Sequence, residues 1–237
     1  MRFWLVLALV LTAGPVMAQG ISIDFGDSTS LAAKSVEILL LVTVLSIVPG
    51  LAVMVTCFPF IVTVLSILRQ ALGLQQSPPN MVIVSLALFL TWFVMDPVFT
   101  EAWLKGAAPL TDGKIDVQTA IPLVLAPFRA FMAARTNPET FAALQALRPG
   151  SSGTATTSSL SLLVPSFMLS EISRAFEIGF LVYLPFLIID LVTAAILMSM
   201  GMMMVPPAVV SLPFKLAFFV VADGWTLISG ALVRSYS

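Results

Sequence analysis

The chain has 237 residues, 59% of them hydrophobic and 10% charged, with a mean hydropathy of +1.07; soluble domains run at roughly 45–50% apolar and about 25% charged, so this is a membrane-associated protein. A net charge of −1 with scattered Lys and Arg excludes an electrostatic nucleic-acid partner, which would need a basic patch or stripe facing the phosphates. The single cysteine, Cys57, makes no internal disulfide, and a chain without histidine lacks the usual zinc and non-haem iron ligands, so no metal or cofactor is expected.

Residues 1–18 have one basic residue, Arg2, a short apolar core and Val16-Met17-Ala18 where a signal peptidase reads small or short side chains. They read as a cleaved signal peptide; the alternative is an uncleaved first helix, although the apolar core falls short of the ~20 residues of a span. Residues 19–99 form the next segment, with apolar blocks from Val36 to Leu68 and from Met81 to Phe99. The first exceeds one span, and Pro49-Gly50 and Pro59 are expected to kink or break it. The turn-like Gln75-Gln76-Ser77-Pro78-Pro79-Asn80 joins the blocks into a helical hairpin.

Residues 100–165 carry Glu101, Lys105, Asp112, Lys114, Asp116, Arg129, Arg135, Glu139 and Arg148, together with the run SSGTATTSSLS. They read as a water-facing, periplasmic segment with a flexible linker. Asn137-Pro138-Glu139 before FAALQAL marks a helix start, with Asn as N-cap and Pro in the first turn. Residues 166–237 hold two further apolar blocks around MGMMMVPP, a second hairpin with a Met-rich loop. The fold class is therefore an all-α membrane protein of two long hairpins with an exterior helical insertion.

The two hairpin tips echo one another. ALGLQQSPPNMV (71–82) superposes on SMGMMMVPPAVV (199–210) without a gap, pairing Gly73 with Gly201 and Pro78-Pro79 with Pro206-Pro207. Gly suits a helix C-terminal cap and Pro the next helix's first turn, so the likeness reflects either duplication or convergence on the same punctuation. One link is polar, with Gln75 and Gln76; the other is Met202, Met203 and Met204. Met is unbranched and polarizable and suits a surface that closes around variable partners; the alternative is that these residues fill lipid or core.

Asp190, Lys215 and Asp223 lie inside apolar blocks, where ionisable groups are costly and need partners. Lys215 and Asp223 are eight positions apart, beyond direct helical pairing. Counted outward from the turn, Lys215 and Asp190 differ by about four positions, roughly 6 Å of rise, so a pair across the hairpin or between subunits is feasible. Such a pair serves either helix register or proton and ion relay. Glu171, Arg174 and Glu177, spaced by three, read as a solvated surface ladder.

The stretches LSIVPGLAVMVTCFPFIVTVLSILRQALGLQQSPPN, LALFLTWFVMDPVF, FRAFMAARTNPETFAAL, LVPSFMLSEISRAFEIGFLVYLPFLIIDLV and GMMMVPPAVVSLPFKLAFFVVADGW resemble the FliP family of flagellar type III export-gate proteins, related to a component of virulence injectisomes. The sequence departs from the family's pattern at Phe58-Pro59-Phe60 and in the Ser/Thr/Gly run. The resemblance implies a non-enzymatic, pore-forming subunit in the bacterial inner membrane at the flagellar basal body, seated partly at periplasmic level. It implies assembly with FliQ, FliR, FlhB and roughly five copies of the chain itself into a helical, ring-like gate, in contact with membrane lipid and passing unfolded flagellar proteins. It also implies that Met202, Met203 and Met204 form a gasket closing the pore, with Gly201, Pro206 and Pro207 shaping the loop. The rival readings are a multi-pass ion or small-solute transporter built on Asp190, Lys215 and Asp223, and an intramembrane aspartyl protease. For the latter, LIIDLV and VADGW lack the expected Gly-x-Gly-Asp context.

Overall fold

The computed structural model describes residues 31–74, 78–148, 153–202 and 204–236, with the side chains at 31–34, 37, 44 and 49 outside that description. The signal peptide expected at 1–18, Gln75 and Gln76 of the first link, and Met203 of the second therefore lie outside the described residues. The described residues are helical and contain no strand. In order the elements are α1 (Leu31–Met54), α2 (Phe58–Ala71), α3 (Asn80–Ala102), a π-helical turn (Trp103–Ala107), α4 (Ala108–Thr111), α5 (Val117–Arg135), α6 (Pro138–Ala146), α7 (Leu160–Ser199), α8 (Pro207–Val221) and α9 (Gly224–Arg234).

The chain divides into two units, residues 1–45 and 46–237. Of the first, the described part is the opening of α1, where Leu39, Leu40, Leu41, Val42 and Leu45 are exposed and Thr43 Oγ1 donates back to the Leu39 carbonyl at 2.7 Å. All else below concerns the second unit. Its centre is α2, whose buried Phe60, Ile61, Val64, Leu65, Leu68 and Ala71 follow helical spacing and form one apolar stripe. That stripe packs chiefly on α7, and α3 covers its other side.

Where the apolar block breaks is a matter of backbone donors. The helix runs through Pro49-Gly50 and stops only at Val55-Thr56-Cys57, because Pro59 falls in the first turn of α2, where its missing N–H is no loss. Thr56 fills the gap: its hydroxyl donates to the Val53 carbonyl at 2.9 Å and accepts from the Phe58 amide at 3.4 Å.

The stretch expected to face water is more structured and more apolar than its charges suggest. Residues 117–135 form a helix long and apolar enough to cross a membrane. It is capped by Asp116, which accepts from the Thr119 amide at 3.2 Å; hydrogen bonding by the Thr119 side chain first, and by the amide next, holds the Asp116 carboxyl below the usual range. The Asn137 cap is present as read, accepting from the Glu139 and Thr140 amides at 2.8 and 3.2 Å, with Pro138 opening α6. The described part of the Ser/Thr/Gly run is hydrogen-bonded rather than a loose linker: the Thr157 and Ser158 amides both donate to the Thr154 carbonyl, and Arg129 reaches the Ser158 carbonyl.

By length and composition, three helices among the described residues can cross a membrane, or up to five if each of two bent helix pairs counts as one span. At 40 residues, α7 is the longest element and extends through residue 165. One close helix approach depends on a missing side chain: a Cβ on Gly106 would stand 2.9 Å from the Val124 amide nitrogen and 3.2 Å from the Ala120 carbonyl oxygen, both backbone atoms. Gly106→Ala is therefore expected to push the π-helical turn off α5 and cost roughly 1–3 kcal/mol, read as a lower unfolding temperature of the detergent-solubilised protein.

Candidate functional site

The Met tip is shaped by the end of α7. Gly201 has φ +75°, in the left-handed region. Its amide donates to the Met198 carbonyl at 3.1 Å, and the Met202 amide donates to the Leu197 carbonyl at 3.0 Å. These two bonds are the Schellman closure of a helix end, which satisfies last-turn carbonyls and turns the chain sharply. Pro206 then caps α8 and Pro207 opens it. Gly73 repeats the left-handed turn at φ +75°, its amide donating to Gln70 at 3.0 Å, but there Pro78 and Pro79 both precede α3 and Pro79 is the cap.

Between these two stops Met202 and Met204 are presented outward. Met204 is 97% exposed and Met202 39% exposed, while Met198 and Met200 just before the turn are also exposed. None of the four belongs to the chain's own core.

Below the tip lies a buried polar centre. Ser211, Lys215 and Phe219 are spaced by four on α8 and form its buried face. Lys215 is only 4% exposed, and its Nζ donates to Asp190 Oδ2 of α7 at 2.6 Å and to the Ala71 carbonyl of α2 at 3.0 Å. Ser211 donates to the other carboxylate oxygen of Asp190 at 2.5 Å. Each charge thus has a counter-charge and at least one further hydrogen bond, which is what makes a desolvated pair tolerable. Because Ala71 is the last residue of α2, the ammonium also ties α8 to the end of the first hairpin helix. At that end Leu212 reaches to 3.5 Å from where a Cβ on Gly73 would stand.

Asp223 is not part of this centre. It lies two helical turns beyond Lys215, exposed, at φ 46° and ψ 50° in the break where α8 and α9 bend by 62°. The expectation of a buried charge at this position is corrected: the helix ends before Asp223, and a residue in the bend faces outward.

The expected surface ladder is corrected at its first member. Glu171 is fully buried; the Tyr236 hydroxyl donates to it, and Arg135 Nε stands 3.5 Å from its Oε1. Arg135 also donates to the Ser235 carbonyl at 2.7 Å and lies 4.1 Å over the Tyr236 ring. Burial, then the neighbouring carboxylate, pushes the Tyr236 hydroxyl upward in pKa, so it stays a donor. This cluster fastens residues 235–236 to α5 and α7. The signal for it was in the sequence: Leu163, Phe167, Glu171, Ala175 and Gly179 recur every fourth residue and are all buried. A glutamate within such a stripe faces the core whatever its neighbours at three-residue spacing.

Among the described residues no group of His, Cys, Asp or Glu is arranged to hold a metal ion. The arrangement offers an adaptable apolar tip on a braced hairpin.

Comparison with known proteins gives one consistent result. The sequence model of the FliP family matches residues 41–232. The chain is 45% identical over 232 residues to the flagellar biosynthetic protein FliP of Caulobacter vibrioides, covering 97% of this chain and 87% of that protein. It is 45% identical over 243 residues to the protein of the same name in Agrobacterium fabrum, covering 100% and 99%. For Bacillus subtilis FliP the identity is 42% over 221 residues, covering 93% and 100%.

Proposed function

We propose that this chain, which belongs to the FliP family, is a pore-forming subunit of the flagellar type III protein export gate, passing unfolded flagellar proteins across the inner membrane. Several copies, together with FliQ, FliR and FlhB, make the gate, and the tip at Met202, Met203 and Met204 seals it when it is closed. The chain is structural and not an enzyme.

One observation carries the reading: the Met tip is held out of the chain's own core, with Met204 almost wholly exposed, at the end of a Schellman-closed helix braced by the Lys215 centre. An apolar side chain held out in this way has a partner outside its own chain, and symmetry-related copies of the same tip supply one at a pore axis. The length of α7 supports a seat partly above the bilayer. Its 40 residues span about 60 Å, twice the roughly 30 Å of a hydrocarbon core. The transporter reading loses its three-charge path, since Asp223 is exposed and Lys215 and Asp190 satisfy each other.

Single-particle imaging of the chain purified with its membrane partners tests this. Met tips converging on the axis of a helical ring are expected. Tips buried in lipid away from the axis, or solute-dependent flux in proteoliposomes containing this chain alone, would overturn the reading.

A further inference from the structure

The exposed face of α3 carries a charge that neither the Met tip nor the Lys215 centre uses. Val82, Phe89 and Asp96 recur every seventh residue and share one face, opposite the buried Ile83, Ala87 and Thr91. Val82 and Phe89 are exposed, as are Trp92 and Phe93 one turn from Asp96. Asp96 is itself exposed and stands midway along the 32-residue run Asn80–Thr111, which is long and apolar enough to cross a membrane. It makes no hydrogen bond or ion pair with any described residue. An aspartate is too short to carry its carboxylate from mid-span to a headgroup, so on an apolar face it needs a cation from outside its own chain.

A matching cation lies on the other flank of the same chain. α3 and α7 pack on different sides of α2. On α7, Arg174, Leu181 and Ile188 also recur every seventh residue; Leu181 and Ile188 are exposed and Arg174 is half-buried. The Arg174 charge acts on the buried Glu171, but its guanidinium donates no hydrogen bond to any described residue and forms no ion pair with the exposed Glu177 one turn along. Every other basic side chain among those described is engaged within its own chain, as Lys105 is with Glu101 and Lys215 with Asp190. A chain with an acid on one flank and open donors on the other is complementary to itself head to tail. Each such contact leaves one acid and one arginine for the next copy, which is the geometry of rings and helical arrays. We propose that the α3 face centred on Asp96 docks on the α7 face of a second copy of this chain, with the Asp96 carboxylate accepting from the Arg174 guanidinium of that copy. This rests on the reading that several copies build the gate, and it stands whether or not the Met tips seal it.

The test places an aromatic photo-crosslinking amino acid at position 93, one turn from Asp96, so that the acid is kept, and uses the complete membrane complex. A covalent dimer of this chain is expected, joined at the α7 segment around Arg174, which within one chain lies on the opposite side of α2. Asp96→Asn and Arg174→Gln should each lower the yield of that cross-link about tenfold. Asp96→Arg and Arg174→Asp, which each set like charges against one another, should lose it singly and regain it together. Should Arg174→Asp fail to fold beside Glu171, the position of the cross-link and the two neutral variants still decide. A cross-link to lipid alone, to a different membrane subunit or to another part of the second copy would overturn the proposal, as would an unchanged yield in both neutral variants. A ring of copies in which position 93 meets only lipid would refute this contact and leave the export-gate reading standing; solute flux through the chain alone, with the cross-link present, would do the reverse.

Discussion

Replacing Met202, Met203 and Met204 together with Ala is expected to leave the gate assembled while the closed pore leaks ions. The two readings of these residues differ in what truncation removes. A buried methionine cut to Ala leaves a cavity costing about 2–5 kcal/mol, and three such cavities would lower the amount of folded complex. Met204, however, is 97% exposed and Met202 39% exposed, so within the chain there is little packing to lose. Under the proposed sealing role, what truncation shortens is the reach of each tip toward the corresponding tips of other copies. Leu at the same three positions should keep the apolar barrier but adapt less well around a passing chain, so leakage stays low and secretion falls. Ion permeability of cells making the complete gate, measured with secretion and complex abundance on the same samples, separates the cases. Impermeable cells with reduced abundance in the triple-Ala variant would return the methionines to a packing role.

Asp190→Asn is expected to cost about 3–5 kcal/mol of stability, because it leaves the Lys215 ammonium buried without its counter-charge. Lys215→Ala should be costly for the reciprocal reason, softened because Asp190 is the less buried partner and keeps its bond from Ser211. Combining Lys215→Met with Asp190→Leu should cost less than the sum of the single changes, since removing both charges removes the desolvation problem. Asp223→Asn should add independently to Lys215→Ala. The measurement is a double-mutant cycle on detergent unfolding of the purified complex. Additivity for Asp190 with Lys215, or coupling for Asp223, would refute the assignment. Because Lys215 also holds the Ala71 carbonyl, its loss should loosen the hairpin that carries the Met tip and lower secretion even where assembly persists.

The sequence by itself determined the helical class, the membrane setting and the punctuation of the second hairpin, because these follow from local physics. Gly201 takes a left-handed turn that other side chains rarely adopt, Asn137 caps the next amides, and long apolar runs need a helix to satisfy their backbone in lipid. Counting residues from the turn also made a Lys215–Asp190 pair feasible and put Asp223 beyond direct helical pairing. Only the tertiary structure shows that pair within one chain, with Ala71 and Ser211 completing the centre and α8 ending before Asp223. For Glu171 the three-residue spacing with Arg174 and Glu177 suggested a solvated ladder although the four-residue stripe pointed inward, and what the folded chain alone shows is the partners it meets there, Tyr236 and Arg135. The apolar α5 was hidden in a segment whose charges lie mostly at its edges, where Asp116 caps the helix and Arg135 closes it. Local signals fix where a helix starts and stops, whereas which of its faces is buried, and beside what charge, depends on contacts between residues up to 144 positions apart, and those exist only once the chain has folded.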